Sequence, residues 1–365
     1  MFEADLTAEA DRQFAVCNAC RYCEGFCAVF GAAELRTAIG DGDVAYLANL
    51  CHDCRMCFDA CMFTPPHEFA MNIPALLSEA RVQAYERYSR PQAFARMFRA
   101  PGWAAGSVTL GSIVVVTLLI AFGMGAAELW TAHLGPGAFY RVIPYLAMVL
   151  PALALAAYGI VVLVSGARSY ATDIRSSAGD RFVSLRSIGT ALRDALTLVY
   201  LRGGGEGCYD VKRGSPWRRL FHMLVFWGVL ADFGATICAA VLQDVMGYLP
   251  PYPLWSIPVV LGTLGGVAIV VGAAGLLALK GRSDAKPTSA RMIAMDYAFL
   301  AMLELVALTG LALLAFRSTP AMGTLLAIHL GSIAALFITA PYSKFVHFIY
   351  RTIALVKNAS EQQGT

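Results

Sequence analysis

The chain has 365 residues, of which 58% are hydrophobic and only 15% are charged. Soluble globular domains average about 25% charged residues, so this composition excludes an ordinary soluble enzyme and indicates a membrane protein. The formal net charge of +3 is too small to indicate a strongly basic surface, and we expect no nucleic-acid partner.

Two short cysteine runs lie in the N-terminal region, and both have the spacing C-x2-C-x2-C-x3-C. They consist of Cys17, Cys20, Cys23 and Cys27, and of Cys51, Cys54, Cys57 and Cys61. Bacterial ferredoxins hold [4Fe–4S] clusters with this spacing. A pair of structural zinc sites would also use four cysteines each. Such sites usually join two distant C-x2-C pairs, so the sequence favours two [4Fe–4S] clusters.

The fourth cysteine of each run has two candidate clusters to bind. In two-cluster ferredoxins it binds the cluster of the other run, which predicts one cluster on Cys17, Cys20, Cys23 and Cys61. The second cluster would then be held by Cys51, Cys54, Cys57 and Cys27. The ferredoxin pattern places proline directly after the fourth cysteine, whereas Ala28 and Met62 follow here. The exchange of the fourth ligand therefore stays open.

Residues 1–100 are predicted to form a ferredoxin-like, α-helical module outside the membrane. Amphipathic stretches at 32–49 and 72–90 indicate helices, the first with a break at its glycines. A basic segment at 92–100 suits a helix on the membrane surface. The N-terminus lacks the apolar core of a signal peptide, and closely spaced cluster cysteines suit a reducing compartment. We therefore expect this module to be cytoplasmic.

Residues 101–365 are predicted to form a six-helix transmembrane bundle, which makes the whole fold all-α. Each apolar segment is long enough to cross ~30 Å of hydrocarbon; the segments lie at 107–127, 142–164, 220–243, 257–279, 292–316 and 322–350. A basic loop at 165–219 includes an amphipathic stretch, 181–201, that suits an interfacial helix. Of the 28 Lys and Arg, all but Arg141 and Arg317 fall on one side. This predicts a multi-pass protein of the bacterial inner membrane with both termini in the cytoplasm.

Histidines in the predicted spans are candidates for a functional site, because ionisable groups are costly in a membrane. His222 follows Arg219 by three residues, and His347 follows Lys344 by three. The two histidines therefore lie at similar depth on antiparallel spans. This arrangement predicts that the two imidazoles clamp one haem b near the N-terminal module. A hydrogen-bonded packing role is the plainer alternative for both.

Other polar groups of the spans are candidates for a site at which a quinone accepts electrons. If the sixth span is one straight helix, His329 points the same way as His347, ~27 Å along the axis. It is a candidate for a second haem, paired with His133, or for a quinone contact, and a hydrogen-bonded packing role is the alternative. Asp232 and Glu304 are candidates for proton uptake at a quinone site, and a hydrogen bond between helices is the alternative for both.

The whole pattern is similar to a known family. The twin cysteine runs, the six spans, and the glycine-rich Gly203–Cys208 before Arg218-Arg219-Leu220-Phe221-His222 resemble the tricarballylate utilisation protein B family, also called citrate utilisation protein B. The resemblance covers nearly the whole chain. It implies an iron–sulfur and haem protein that reoxidises a cytoplasmic FAD-dependent dehydrogenase and passes electrons to membrane quinone. The substrate, tricarballylate or citrate, would belong to the partner.

Two other classes of function remain open from the residues. One is a membrane-anchored iron–sulfur redox sensor, in which the spans serve only as a tether. The other is a transporter with a zinc-binding head. A tether needs no intramembrane histidines, and no residue pattern here indicates a nucleophile or a hydride-transfer site. We therefore expect an oxidoreductase subunit that moves electrons and leaves the substrate chemistry to its partner.

Overall fold

The computed structural model describes residues 4–175, 183–202, 208–209 and 214–362. In this part of the chain every regular element is helical, apart from a two-residue antiparallel pair, β1 at Cys208–Tyr209 and β2 at Gly214–Ser215. The all-α class is therefore confirmed. The glycine-rich residues 203–207 lie outside the described residues.

Six short helices, α1 to α6, make up the N-terminal region. They span Ala4–Cys20, Ala28–Glu34, Asp41–Leu50, Met56–Asp59, Ile73–Tyr88 and Gln92–Met97. The helical structure is interrupted between α2 and α3, and Gly40 is the N-cap of α3. Helix α3 is the centre of this region, since Leu47 and its apolar neighbours are fully buried. Each such side chain stabilises the fold by about 1.5–3 kcal/mol.

Six helices are long and apolar enough to cross a membrane, as the sequence predicts. They cover Pro101–Leu129, Tyr145–Arg175, Trp217–Val245, Ile257–Arg282, Ala290–Phe316 and Met322–Tyr342. Their α-helical parts are α7 (Pro101–Ile120), α9 (Tyr145–Arg175), α11 (Trp217–Ala240), α12 (Ile257–Arg282), α13 (Ala290–Phe316) and α14 (Met322–Thr339). The shorter helices are α8 (Ala138–Val142), α10 (Leu185–Thr197) and α15 (His347–Gln362). This is a multi-pass membrane protein.

The sixth span was predicted to cover 322–350 with a frayed inner end, and in the structure the span ends earlier, at Tyr342. Helix α14 stops at Thr339, and two short helical turns precede α15. Pro341 explains the break, because proline lacks a backbone N–H and disfavours a helical residue before it. The straight-helix extrapolation from His329 to His347 is therefore wrong. Helix α15 instead packs on the N-terminal region, where Tyr350 and Leu355 are buried in its core.

The two ends of the bundle differ in what covers them. At one end, the loop between α12 and α13 contacts the second cysteine run, where Arg55 donates a hydrogen bond to the carbonyl oxygen of Asp284 at 2.6 Å. At the other end the interhelical loops contact one another, and Arg317 donates to the carbonyl oxygen of Tyr252 at 2.6 Å. The cysteine runs, α10 and α15 therefore all lie at the same end.

Candidate functional site

Cysteines from both runs line one surface pocket. We call Cys17, Cys20, Cys23 and Cys61 the first cysteine group; all four line this pocket, whose empty volume is ≈ 500 Å³. Cys20, the last residue of α1, is exposed, and the other three are partly buried. Burial and then neighbouring thiols raise the pKa of Cys17 to about 12 and that of Cys23 to about 11. Without metal these thiols stay protonated, so metal binding here must release protons.

The last cysteine of the first run lies with the second run. We call Cys27, Cys51, Cys54 and Cys57 the second cysteine group. Burial, and then Cys51, raises the pKa of Cys27 to about 12. Burial and then Cys54, Cys27 and Cys51 raise the pKa of Cys57 well above its usual value. Cys27 therefore lies near Cys51 and Cys57, as exchanged ligation requires, and Cys23 of the first run also acts on both Cys27 and Cys57.

The donor chemistry of both groups fits an iron–sulfur cluster, which takes four thiolates. Among the described residues, no three or more His, Cys, Asp or Glu side chains close around a single metal ion. The spacing of these eight cysteines in the sequence was enough to predict them as cluster ligands. Their assignment as ligands stays a prediction.

Arginines fasten the second cysteine run to the membrane helices. Arg55 donates to Thr288 Oγ1 at 2.9 Å, in the loop between α12 and α13. Thr288 in turn donates to the Asp53 carboxylate at 3.2 Å. Arg218, at the start of α11, donates to the carbonyl oxygen of Asp53. The run is therefore held by side chains from two sides of the bundle.

The two histidines predicted to form a pair are brought together. The ring centroids of His222 and His347 lie 6.2 Å apart, with the ring planes at 81°. Both side chains are partly buried. Imidazole nitrogens are common metal ligands and bind at about 2 Å. The observed separation fits two ligands of one metal.

The hydrogen bonds of the pair also fit ligation. His347 Nδ1 lies 2.7 Å from the carbonyl oxygen of Lys344. A carbonyl only accepts, so Nδ1 carries the proton and Nε2 is left with a free lone pair. His222 Nδ1 is buried with no hydrogen-bond partner among the described residues, which is costly unless a further group takes it up. Residues of this kind fit a bis-imidazole haem site.

Each histidine of the pair lies one helical turn from an arginine bound to the second cysteine run. Arg218 precedes His222 by four residues on α11, and Arg351 follows His347 by four on α15. Residues four apart lie on one face of a helix. Arg351 donates to the carbonyl oxygen of Cys51 at 3.3 Å. The same two helices therefore carry the histidine pair and hold the cysteine run. The sequence gives no sign of these arginine contacts.

The remaining predicted histidines have partners of their own. His329 Nδ1 lies 3.0 Å from Thr309 Oγ1 of α13, and its ring packs against Gly310, where an added Cβ would lie 2.9 Å away. His133 Nε2 lies 2.5 Å from Glu128 Oε2. The structure therefore gives each of these two rings a hydrogen bond, as the packing interpretation of His329 expects.

Two carboxylates of the spans keep an oxygen unsatisfied. Asp232 Oδ1 on α11 and Glu304 Oε2 on α13 are buried, with no hydrogen-bond partner among the described residues. An interhelical hydrogen bond is therefore not seen at these two atoms. A buried oxygen of this kind is a suitable place for a proton or a polar ligand group.

Sequence comparisons give the same family for both parts of the chain. Residues 103–365 match the family described as Citrate utilization protein B, and residues 10–87 match its Fer4-like domain. A curated relative named Citrate utilization protein B, from Escherichia coli, is 42% identical over 362 residues, which cover 98% of this chain and 93% of the relative. No solved structure matches the chain.

Proposed function

The chain belongs to the citrate utilization protein B family, and on that premise we propose that it is a membrane electron-transfer subunit. It would reoxidise a reduced FAD-dependent dehydrogenase of tricarballylate or citrate utilisation and pass the electrons to the quinone pool. The observation that carries the proposal is the pocket in which Cys61 of the second run lies with Cys17, Cys20 and Cys23 of the first. Two [4Fe–4S] clusters and one haem b, when bound, supply one-electron transfer.

Residues 1–100 would form the cytoplasmic module that receives electrons, and residues 101–365 the membrane domain. The first cysteine group suits contact with a partner, because its pocket opens at the surface and Cys20 is exposed. The second group is nearer the membrane helices, since Arg55 and Arg218 tie its run to them. The first group would therefore lie nearer the partner, and the second nearer the membrane.

His222 and His347 would hold haem b. The carbonyl oxygen of Lys344 fixes the Nδ1–H tautomer of His347 and aims its other nitrogen away from that bond. Arg218 and Arg351 join each of these helices to the second cysteine run. The histidine pair therefore cannot shift far without disturbing the cysteine run.

The quinone end of the path would use polar groups deeper in the bundle. A quinone that accepts two electrons also takes up two protons, and the reduced flavin of the partner gives up the same numbers. Asp232 and Glu304 each have a buried oxygen able to hold such a proton. His329 offers a ring nitrogen for a quinone oxygen, and a second haem at His329 is the alternative.

The direction of the path follows from the distribution of charge. Lys and Arg concentrate on the side that carries the cysteine runs, and this side is cytoplasmic under the positive-inside rule. We therefore place the protein in the bacterial inner membrane with both termini in the cytoplasm. The dehydrogenase would dock from the cytoplasm, and quinone would approach from the bilayer.

A metal analysis with optical and EPR spectra of the purified protein tests the proposal. We expect about nine iron atoms per chain, from two four-iron clusters and one haem, together with a dithionite-reduced haem b spectrum and EPR signals of reduced clusters. Clusters without haem would support the membrane-anchored sensor instead. Zinc without a visible chromophore would support a transporter with a zinc-binding head.

A further inference from the structure

The two cysteine groups differ sharply in the charges around them. Arg21 is the arginine that lines the first pocket, together with Glu24 and Glu34. Its guanidinium lies 2.7 Å from the Glu34 carboxylate and 3.7 Å from that of Glu24. Arg21 is also exposed to water, at 57% of its side chain. Its positive charge is therefore both neutralised and screened.

The second cysteine group lies against arginines whose charge is not neutralised in this way. Arg81 is buried and donates to the carbonyl oxygens of Ala48, at 2.8 Å, and Cys51. Arg351 donates to the same Cys51 carbonyl oxygen at 3.3 Å. Within the described residues, neither guanidinium forms an ion pair with a carboxylate. Two positive charges thus converge on one backbone oxygen of a cysteine ligand.

Two further arginines lie beside Asp53 of the same run. Arg55 and Arg218 lie 4.0 Å and 3.7 Å from the Asp53 carboxylate. Buried like charges without counter-ions are strongly unfavourable. The surroundings of the second group therefore favour a strongly anionic occupant.

From this asymmetry we propose that Arg81 and Arg351 are positioning residues. They set the reduction potential of the cluster on the second cysteine group above that of the cluster on the first. The inference rests on the proposed function. A cluster on four thiolates is anionic, and each electron it accepts adds one negative charge. Fixed positive charge therefore stabilises its reduced form and raises the potential. One electron then passes from the cluster on the first group, which is oxidised, to the cluster on the second group, which is reduced.

Burial acts in the opposite direction and is the weaker effect. The second group is more buried, since Cys54 is buried whereas Cys20 is exposed, and removal from water disfavours added negative charge. The low dielectric that imposes this penalty also strengthens attraction to the nearby guanidiniums. Among the described residues, Arg81 and Arg351 both contact the Cys51 carbonyl oxygen without forming an ion pair, and we therefore expect the attraction to exceed the penalty.

An EPR-monitored redox titration of the purified full-length protein tests the inference. In the wild type we expect two cluster signals with different midpoint potentials. Arg351→Gln keeps a hydrogen-bond donor but removes the charge, and it should lower the higher midpoint while leaving the lower one in place. Arg351→Lys keeps the charge and should retain most of the separation. Arg21→Gln, at the first group, should move neither midpoint appreciably.

The outcomes separate this inference from the proposed function. A protein without cluster signals overturns the proposed function and the inference together. Cluster signals with equal midpoints in the wild type overturn only the inference. So does a shift of both midpoints, or of neither, in Arg351→Gln. If Arg351→Gln does not assemble its clusters, Arg81→Gln removes the other charge at the Cys51 carbonyl oxygen and is judged by the same criterion.

Discussion

The ring of His222 on α11 lies 6.2 Å, centroid to centroid, from the ring of His347 on α15. Neither helix could place its histidine alone. Helix α11 is held by close packing against α12, where an added Cβ at Gly228 would lie 2.8 Å from the carbonyl oxygen of Gly265. Helix α15 is held by the N-terminal core. The pair thus depends on the docking of the membrane bundle onto the cysteine module.

Removing either ring of the pair should remove the haem. We expect His222→Ala and His347→Ala to lower haem affinity by more than about tenfold, since changes even beyond the direct ligands cost about 10–100-fold at metal sites. The measurement is the haem-to-protein ratio from the reduced spectrum, with cluster EPR signals retained. His133→Ala, which breaks only the contact with Glu128, is the control. Full haem content in His222→Ala would show that the assignment is wrong.

The approach of α11 to α12 gives a prediction for a residue that touches no cofactor. A Cβ at Gly272 would lie 2.7 Å from the carbonyl oxygen of Phe221, the residue before His222. Since a backbone atom cannot move aside cheaply, Gly272→Ala should displace α11 and reduce haem content. In Gly262→Ala, the added Cβ would meet Ala235 at an ordinary 3.7 Å. This control should keep its haem, and equal loss in both variants would contradict the explanation.

If the fourth ligands are exchanged, the last cysteine of each run should bind the cluster of the other run. Cys61→Ser should damage the cluster of the first run, because Cys61 lines the pocket of Cys17, Cys20 and Cys23. Cys27→Ser should damage the cluster of the second run. EPR signals of the two variants, compared with Cys17→Ser and Cys51→Ser, identify which cluster is lost. Cys238→Ser in α11 is the control, with both signals kept. If Cys61→Ser matches Cys51→Ser instead, ligands are not exchanged.

Much of the architecture could be predicted because its signals are local in the chain. Hydropathy located the six membrane helices, and the spacing of the cysteines located the two runs. His222 and His347 could be paired from depth alone, since both lie close to basic residues at one membrane face. Each of these inferences needs only a short window of sequence and one physical rule.

The contacts that assemble the site could not be predicted, because they join distant parts of the chain. The sixth span was extended through Pro341 to Tyr350, and this hid α15. The bonds of Arg218 and Arg351 to the second cysteine run depend on how α11 and α15 dock. A charge count assigned these arginines to one membrane side but gave no partner for either.

The last prediction concerns the ion pair that fixes α15 on the N-terminal module. Glu361 Oε1 lies 2.9 Å from Arg36 Nη2, and both side chains are buried. Glu361 also accepts a hydrogen bond from the Tyr46 hydroxyl at 3.2 Å. Removing one partner of a buried pair costs about 3–5 kcal/mol. In Glu361→Ala, Arg36 retains Asp43 at 2.6 Å, so we expect the lower end of that range.

A loosened α15 should show itself at the cofactors, because this helix also carries His347 and Arg351. We expect Glu361→Ala to lower the temperature at which cluster and haem absorbance are lost. Glu9→Ala, which breaks an exposed pair with Arg12, should cost only about 0–1 kcal/mol and change little. The double variant Arg36→Met/Glu361→Leu leaves no carboxylate of α15 unpaired and should be less destabilised than the sum of its single variants. Strict additivity would show that the two side chains act independently, and that α15 is held by its apolar face alone.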